Sequence, residues 1–207
     1  MALPNAYLPL FHRHLPEKSI PYCIRLWEEC PFLFKVKAPR SSKLGDFRYS
    51  KGQELQTITL NADLNPYQFL LTLIHEIAHL RAFTRYGVKH EPHGKEWKSL
   101  FKQLLEPLLD ESIFPIDLLV PLRIHMKNPS ASSAKDLFLM KEMSKYDTTN
   151  QANTFSFLAD LSPETHFELA GRKFTKKESR RTRVLCVEME SGKKYLVSRL
   201  AKVIPLP

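Results

Sequence analysis

Hydrophobic and polar positions change period several times along the chain. "NAYLPLFHRHL" (5–15) and "SIPYCIRLWEEC" (19–30) space apolar residues three and four apart, which lines one face of a helix. Ser19 is placed to cap the second helix. Pro21 falls in its first turn, where a missing N–H costs little, and Pro31 ends it. The period then shortens toward two. "FLFKVKA" (32–38), "LGDFRYS" (44–50) and "LQTITLN" (55–61) alternate, with Gly45 and Gly52 as turn markers. They predict a small antiparallel sheet, and "LQTITLN" is expected to pair with an extended peptide as a sheet edge can.

A long helical run follows. Asn65-Pro66-Tyr67-Gln68 offers an N-cap, a proline at the first helical position and a glutamine at the third. "YQFLLTLIHEIAHLRAFTRYG" is apolar around most of its circumference and should stop at Gly87. Another helix is expected from near Gly94 through "KEWKSLFKQLLEPLL". The chain then turns polar: "NPSASSAKD" and "KYDTTNQANT" predict loop or linker around a short amphipathic helix near 133–145. Strand-like runs return at 181–189 and 194–198, joined by a hairpin turn at Ser191-Gly192. The expected organisation is an α+β domain over 1–124, a polar linker with a short helix over 125–165, and a basic β-rich region over 166–207.

Composition adds limits. The chain has 207 residues, 43% hydrophobic and 26% charged, an ordinary globular balance. No stretch approaches the roughly 20 apolar residues that span a bilayer, and the N-terminus lacks the apolar segment of a secretory leader. Three cysteines without a CxxC predict a reduced compartment. Together these give a cytoplasmic protein with no membrane partner.

The net charge of +9 is unevenly spread. Residues 171–202 hold 11 Lys+Arg and three glutamates, with Phe174 and Tyr195 among them. Lys176, Lys177, Arg180, Arg181, Arg183 and Tyr195 are therefore candidates for nucleic-acid binding, DNA being the natural partner: cations for phosphates, a ring for stacking. The bland reading is a solvated basic face with Phe174 and Tyr195 in the core of a small β-appendix.

The densest chemistry lies in "TLIHEIAHLRAFTRYGVKHEPHGKEW" (72–97), which holds four of the eight histidines. His75 and His79 are four apart, so a helix points them the same way, one turn apart, as two ligands for one ion. Glu76, beside the first, can reach a metal-bound water, take its proton and so prime it to attack a carbonyl. This is the HExxH arrangement of zinc peptidases. Catalytic zinc needs a third protein ligand. The metzincin spacing is excluded because Ala82 and Arg85 stand where it needs glycine and histidine. Spacing leaves Glu96, Glu106, His90 and His93 open.

Over roughly 20–110 the chain resembles the SprT-like zinc metallopeptidases. The resemblance rests on Leu44, Gly45 and Phe47; on Ile58, Leu60 and Asn61; on "LIHEIAHL"; and on "HGKEW", where His93, Gly94 and Trp97 match a family pattern with an aromatic three residues after the glycine. It implies a zincin-like domain, zinc on His75, His79 and His93, Glu76 as general base, and hydrolysis of peptide bonds in proteins, DNA-associated ones among them. Many members carry a four-cysteine zinc ribbon at the C-terminus, whereas residues 120–207 hold one cysteine, Cys186, so none forms here. The alternative function is a non-catalytic nucleic-acid-associated protein with a structural or vestigial zinc site.

Overall fold

A computed structural model describes residues 3–40, 43–89, 91–129, 136–147 and 155–206. The chain is α+β and divides into two compact units, one of residues 1–131 and 142–147, the other of 132–141 and 148–207.

The first unit opens with α1 (Leu8–His14) and α2 (Ile20–Glu29). Phe11, Leu26 and Trp27 are buried, and His14 stacks on Phe69 with centroids 4.7 Å apart. Ser19 occupies the N-cap position of α2, but its hydroxyl donates to Pro16 O at 2.6 Å instead of accepting from the helix. A short 3-10 turn over Glu17–Ser19 supplies that nearer acceptor.

Strands β1 (Leu33–Lys37), β2 (Gly45–Arg48) and β3 (Thr57–Asn61) form one sheet in the order β1-β3-β2. It is mixed, not antiparallel as alternation suggested: β1 runs parallel to β3 and β2 antiparallel. The reason is the crossover between β1 and β2. Lys37 pairs with Asn61 and Gly45 with Leu60, so the chain passes the C-terminal end of β3 between them. Asn61 holds that crossover. Its Oδ1 accepts from Arg40 Nε at 2.7 Å, and its Nδ2 donates to Arg40 O at 3.2 Å and Lys43 O at 2.9 Å. Because β3 is central, both its edges are taken, and "LQTITLN" cannot receive a peptide. The open edges belong to β1 and β2. Gly45 also differs from expectation: it lies within β2, while Gly52, at φ 81°, does make a turn.

Helix α3 (Pro66–Tyr86) starts as its sequence dictates. Asn65 Oδ1 accepts from Gln68 N at 2.9 Å, and Gly87 ends the helix at φ 70°. The Asn65 amide also donates to Met143 O and Asp147 Oδ1, both at 2.8 Å. Helices α4 (Lys95–Leu105) and α5 (Ile116–Lys127) follow. The sequence reading missed α5, whose Pro121 interrupts the helical pattern although Leu118, Leu119, Leu122 and Met126 are buried at helical spacing. Helix α6 (Leu137–Ser144) lies where a short helix was expected. The polar stretches around it fall partly, at 130–135 and 148–154, outside the described residues.

In the second unit β4 (Ser156–Phe157), β5 (His166–Leu169), β6 (Arg172–Ser179), β7 (Arg183–Glu188), β8 (Lys194–Ser198) and β9 (Lys202–Pro205) form an antiparallel sheet in the order β4-β9-β5-β6-β7-β8. Ala170 and Gly171, at φ 52° and 75°, make the two-residue turn between β5 and β6, which a two-residue antiparallel connection requires. Leu158, Phe167, Phe174, Val184, Cys186 and Val203 form the core.

Asp46 ties β2 to its surroundings through Arg40, Lys43 and Thr59. Burial pushes its carboxyl up, but the hydrogen bonds from Thr59 and Arg40 and the charges of Lys43 and Arg40 outweigh burial and bring it from 3.8 down to about 2. A depressed carboxylate stabilises the fold fully above its ordinary value and loses that contribution as pH falls through the folded value. Asp46→Asn should therefore remove about 2 kcal/mol of stability at neutral pH. The difference from wild type should vanish below about pH 2, as read by urea unfolding across the acid range.

Candidate metal centre

Helix α3 is buried on nearly every side: Phe69 to Ile74, Glu76 to Ala78, Leu80 and Ala82 are all enclosed. A helix apolar all round belongs in a core, and polar side chains there need partners. His75 and His79, one turn apart, turn their Nε2 atoms to within 3.2 Å of each other.

The third imidazole arrives from the turn before α4. His93 has φ 61°, a left-handed conformation more accessible to histidine than to most residues. Gly94 follows because the turn is tight: a Cβ there would sit 3.0 Å from both Cβ and O of Glu91, and Gly94 N already donates to Glu91 O at 2.9 Å. This turn brings His93 Nε2 to 3.2 Å from His75 Nε2 and 2.8 Å from His79 Nε2. Trp97, one turn into α4, is fully buried beneath all three rings, with centroids 4.6 Å from His75, 5.3 Å from His79 and 4.7 Å from His93. It stacks on Phe101 at 5.0 Å. Its indole N–H has no hydrogen-bond partner among the described residues.

Burial, then the neighbouring His79, His93 and His125, press the His75 pKa down to about 2. Its imidazole is thus neutral near pH 7. Three ring nitrogens facing one another at 2.8–3.2 Å cannot all be satisfied by sharing protons, because a protonated nitrogen serves one partner and leaves lone pairs opposed. A cation between them relieves that conflict. Donors on a tetrahedral ion with zinc–nitrogen bonds of about 2.0–2.1 Å stand roughly 3.3 Å apart, so small outward shifts fit one. The group His75, His79 and His93 could hold a metal ion.

Glu76 points from the same helix toward the sheet. Asn61 N donates to Leu44 O, which sets the alternation of β2 and turns the backbone of Gly45 and Phe47 to the open edge. The Phe47 N–H there hydrogen-bonds the Glu76 carboxylate. Burial is the largest influence on that carboxyl and raises it to about 7; the Phe47 bond opposes the rise, Asp46 adds to it, and Lys43 and Arg40 oppose it. Close packing here requires Gly45: a Cβ would fall 2.8 Å from Thr72 Cγ2 and 3.3 Å from Glu76 Cγ.

Of the other third-ligand candidates, Glu96 and Glu106 lie outside this cluster, and His90 is outside the described residues. The sequence reading missed His125, a buried residue of α5 close enough to His75 to influence it electrostatically. Its position is set by a helix that the reading did not find.

In the second unit the basic candidates separate. Lys176 is buried, 2% exposed, and its ammonium donates to Leu158 O, Ala159 O and Leu161 O, so it serves the fold. Phe174 is buried, and Tyr195 packs edge-on against it with the Arg172 guanidinium 4.7 Å from its ring centre. Lys177 pairs with Glu164, Arg180 lies 3.8 Å from Glu178, and Arg183 donates to Leu196 O. Arg181, Lys173 and Lys194 are exposed and make no salt bridge among the described residues.

The SprT-like family model matches residues 29–113, a stretch that runs from the end of α2 past α4 and contains His75, Glu76, His79 and His93. Comparison with curated proteins and with solved structures gave no match. No helix among the described residues is long and apolar enough to cross a membrane.

If the three imidazoles bind one ion together, His75→Ala, His79→Ala and His93→Ala should each cut the metal content of the purified chain from one per molecule to a small fraction. His90→Ala should leave it unchanged. Elemental analysis after dialysis reads this directly; full occupancy in His93→Ala would remove that residue from the set. Gly45→Ala should destabilise the chain by about 1–3 kcal/mol through the clash with Thr72, measured by chemical unfolding.

Proposed function

We propose that the protein is a zinc metallopeptidase with a zincin-like catalytic region, holding zinc on His75, His79 and His93 and hydrolysing peptide bonds in proteins. The observation that carries this is the pairing of three convergent imidazoles with a buried carboxylate one residue from the first of them. When bound, the metal supplies Lewis acidity, which acidifies a water and polarises a carbonyl. The remaining work falls to the chain. The Glu76 carboxylate accepts a proton from the attacking water and returns it to the leaving amide nitrogen. Phe47 N–H orients that carboxylate. The open edge of β2, beside Glu76, receives the peptide in extended form by adding a strand through the edge groups other than Phe47 N–H, which Glu76 occupies.

Glu76 also weighs against the rival reading, a non-catalytic protein with a structural zinc site. A structural site gains nothing from a buried carboxylate held beside an open strand edge.

The second unit is proposed to bind nucleic acid, DNA first, through exposed Lys173, Arg180, Arg181, Arg183 and Lys194 and half-buried Lys177, which leaves out the buried Lys176. The supporting observation is the cluster of exposed cations on and between β6 and β7 and at the start of β8, with more positive charge than its glutamates offset. The cytoplasm remains the compartment proposed for the protein.

Two outcomes test these readings. Glu76→Gln should retain the metal and fold yet lose casein hydrolysis by at least about a hundredfold, because an amide cannot accept the proton. Undiminished hydrolysis would refute the assigned base. Reversing charge at Arg180, Arg181 and Arg183 together should weaken duplex binding to many sequences alike. Wild-type affinity should fall steeply with salt, since phosphate contacts release counterions. Fluorescence anisotropy against several unrelated duplexes reads both, and salt-independent binding would contradict a phosphate-contact surface.

A further inference from the structure

One aromatic cluster in the first unit is neither core nor metal floor. Phe47 on β2 and Tyr49 just beyond it face the same side of the strand, being two apart. Both meet Phe83 of α3, at centroid distances of 5.8 Å and 4.6 Å. Phe83 and Phe47 are half-buried, whereas Tyr49 is 45% exposed. Tyr86, three residues past Phe83 on the helix, is 43% exposed. These rings lie at a defined place relative to the centre. Phe83 follows His79 by one turn on the same face of α3, and Phe47 is the residue whose N–H holds Glu76.

We propose that Phe47, Tyr49, Phe83 and Tyr86 form a specificity subsite that takes an apolar or aromatic side chain of the peptide substrate, within three residues N-terminal to the bond cut. The inference rests on the peptidase reading and on the open edge of β2. An added strand pairs more favourably antiparallel than parallel. β2 runs from Gly45, packed on Thr72 and Glu76, toward Tyr49 at Phe83. A peptide antiparallel to it therefore crosses the aromatic cluster first and reaches Glu76 afterwards, so the cluster meets residues ahead of the scissile bond. Strands advance about 3.3 Å per residue, which puts the cluster one to three residues from the catalytic carboxylate. The opposite face of β2 carries Asp46 and Arg48 with Arg40 and Lys43, so one side of the strand offers charge and the other offers rings.

The test digests unfolded casein with the zinc-loaded full chain and maps the cuts by mass spectrometry. Labelled peptides carrying phenylalanine or serine at the favoured position are then bound to the Glu76→Gln chain, followed by anisotropy. The expected result is enrichment of Phe, Tyr, Leu or Met at one of the three positions before the cut, with the phenylalanine peptide binding about tenfold tighter. Tyr49→Ser and Phe83→Ser should bring that ratio to within about twofold. Zinc content and thermal unfolding report whether each variant folds, and exposed Tyr49 carries the test alone if Phe83→Ser does not. Cuts without enrichment, enrichment only after the cut, or an unchanged ratio in Tyr49→Ser would overturn the subsite and leave the peptidase standing. Absence of any zinc-dependent cut would sink the peptidase reading and the subsite with it.

Discussion

Helix α3 is enclosed on almost all sides yet carries two imidazoles and a carboxylate within five residues. Burying such groups without partners costs several kcal/mol each, so everything around them has to compensate. Burial keeps the His75 imidazole neutral, and the ring nitrogens of His75, His79 and His93 converge on one point. The carboxylate receives the Phe47 N–H and is drawn away from its usual acidity toward neutrality. The same apolar packing that makes these groups expensive also strengthens the interactions among them, because charge is poorly screened there.

Neighbouring elements follow from holding that helix. The sheet must approach it closely, which only a glycine at 45 allows, and the crossover that delivers Gly45 is pinned by Asn61 and Arg40. On the opposite side Trp97 fills the space below the three rings and fixes the distance at which α4 packs. The His93-Gly94 pair then works as a unit: the glycine permits the tight turn and the histidine accepts a left-handed backbone to aim inward. Phe47 has two contacts, its backbone N–H with Glu76 and its ring with Phe83.

Much of this was legible in the residues, for physical reasons that differ by element. The start and stop of α3 were readable because Asn65, Pro66 and Gly87 act locally. His75 and His79 were readable because a helix fixes the relation of residues four apart. The third histidine was not fixed by spacing, since a loop sets no such relation, and the resemblance to SprT-like proteins singled out His93. Alternation located the strands but not their neighbours. The parallel pairing of β1 with β3, the central place of β3 and the packing role of Gly45 all depend on a crossover with no local signature. Helix α5 was hidden by Pro121, and the inward turn of Lys176 was hidden because a lysine in a basic run reads as exposed.

The central claim is an open metal site in which three imidazoles are the protein's whole contribution. X-ray absorption at the zinc edge on the purified full chain tests it most directly. The account predicts one zinc per molecule with three imidazole nitrogens at about 2.0–2.1 Å and one further oxygen from solvent. A fourth ligand from the protein, or a sulfur at about 2.3 Å, would mark a closed structural site and contradict it.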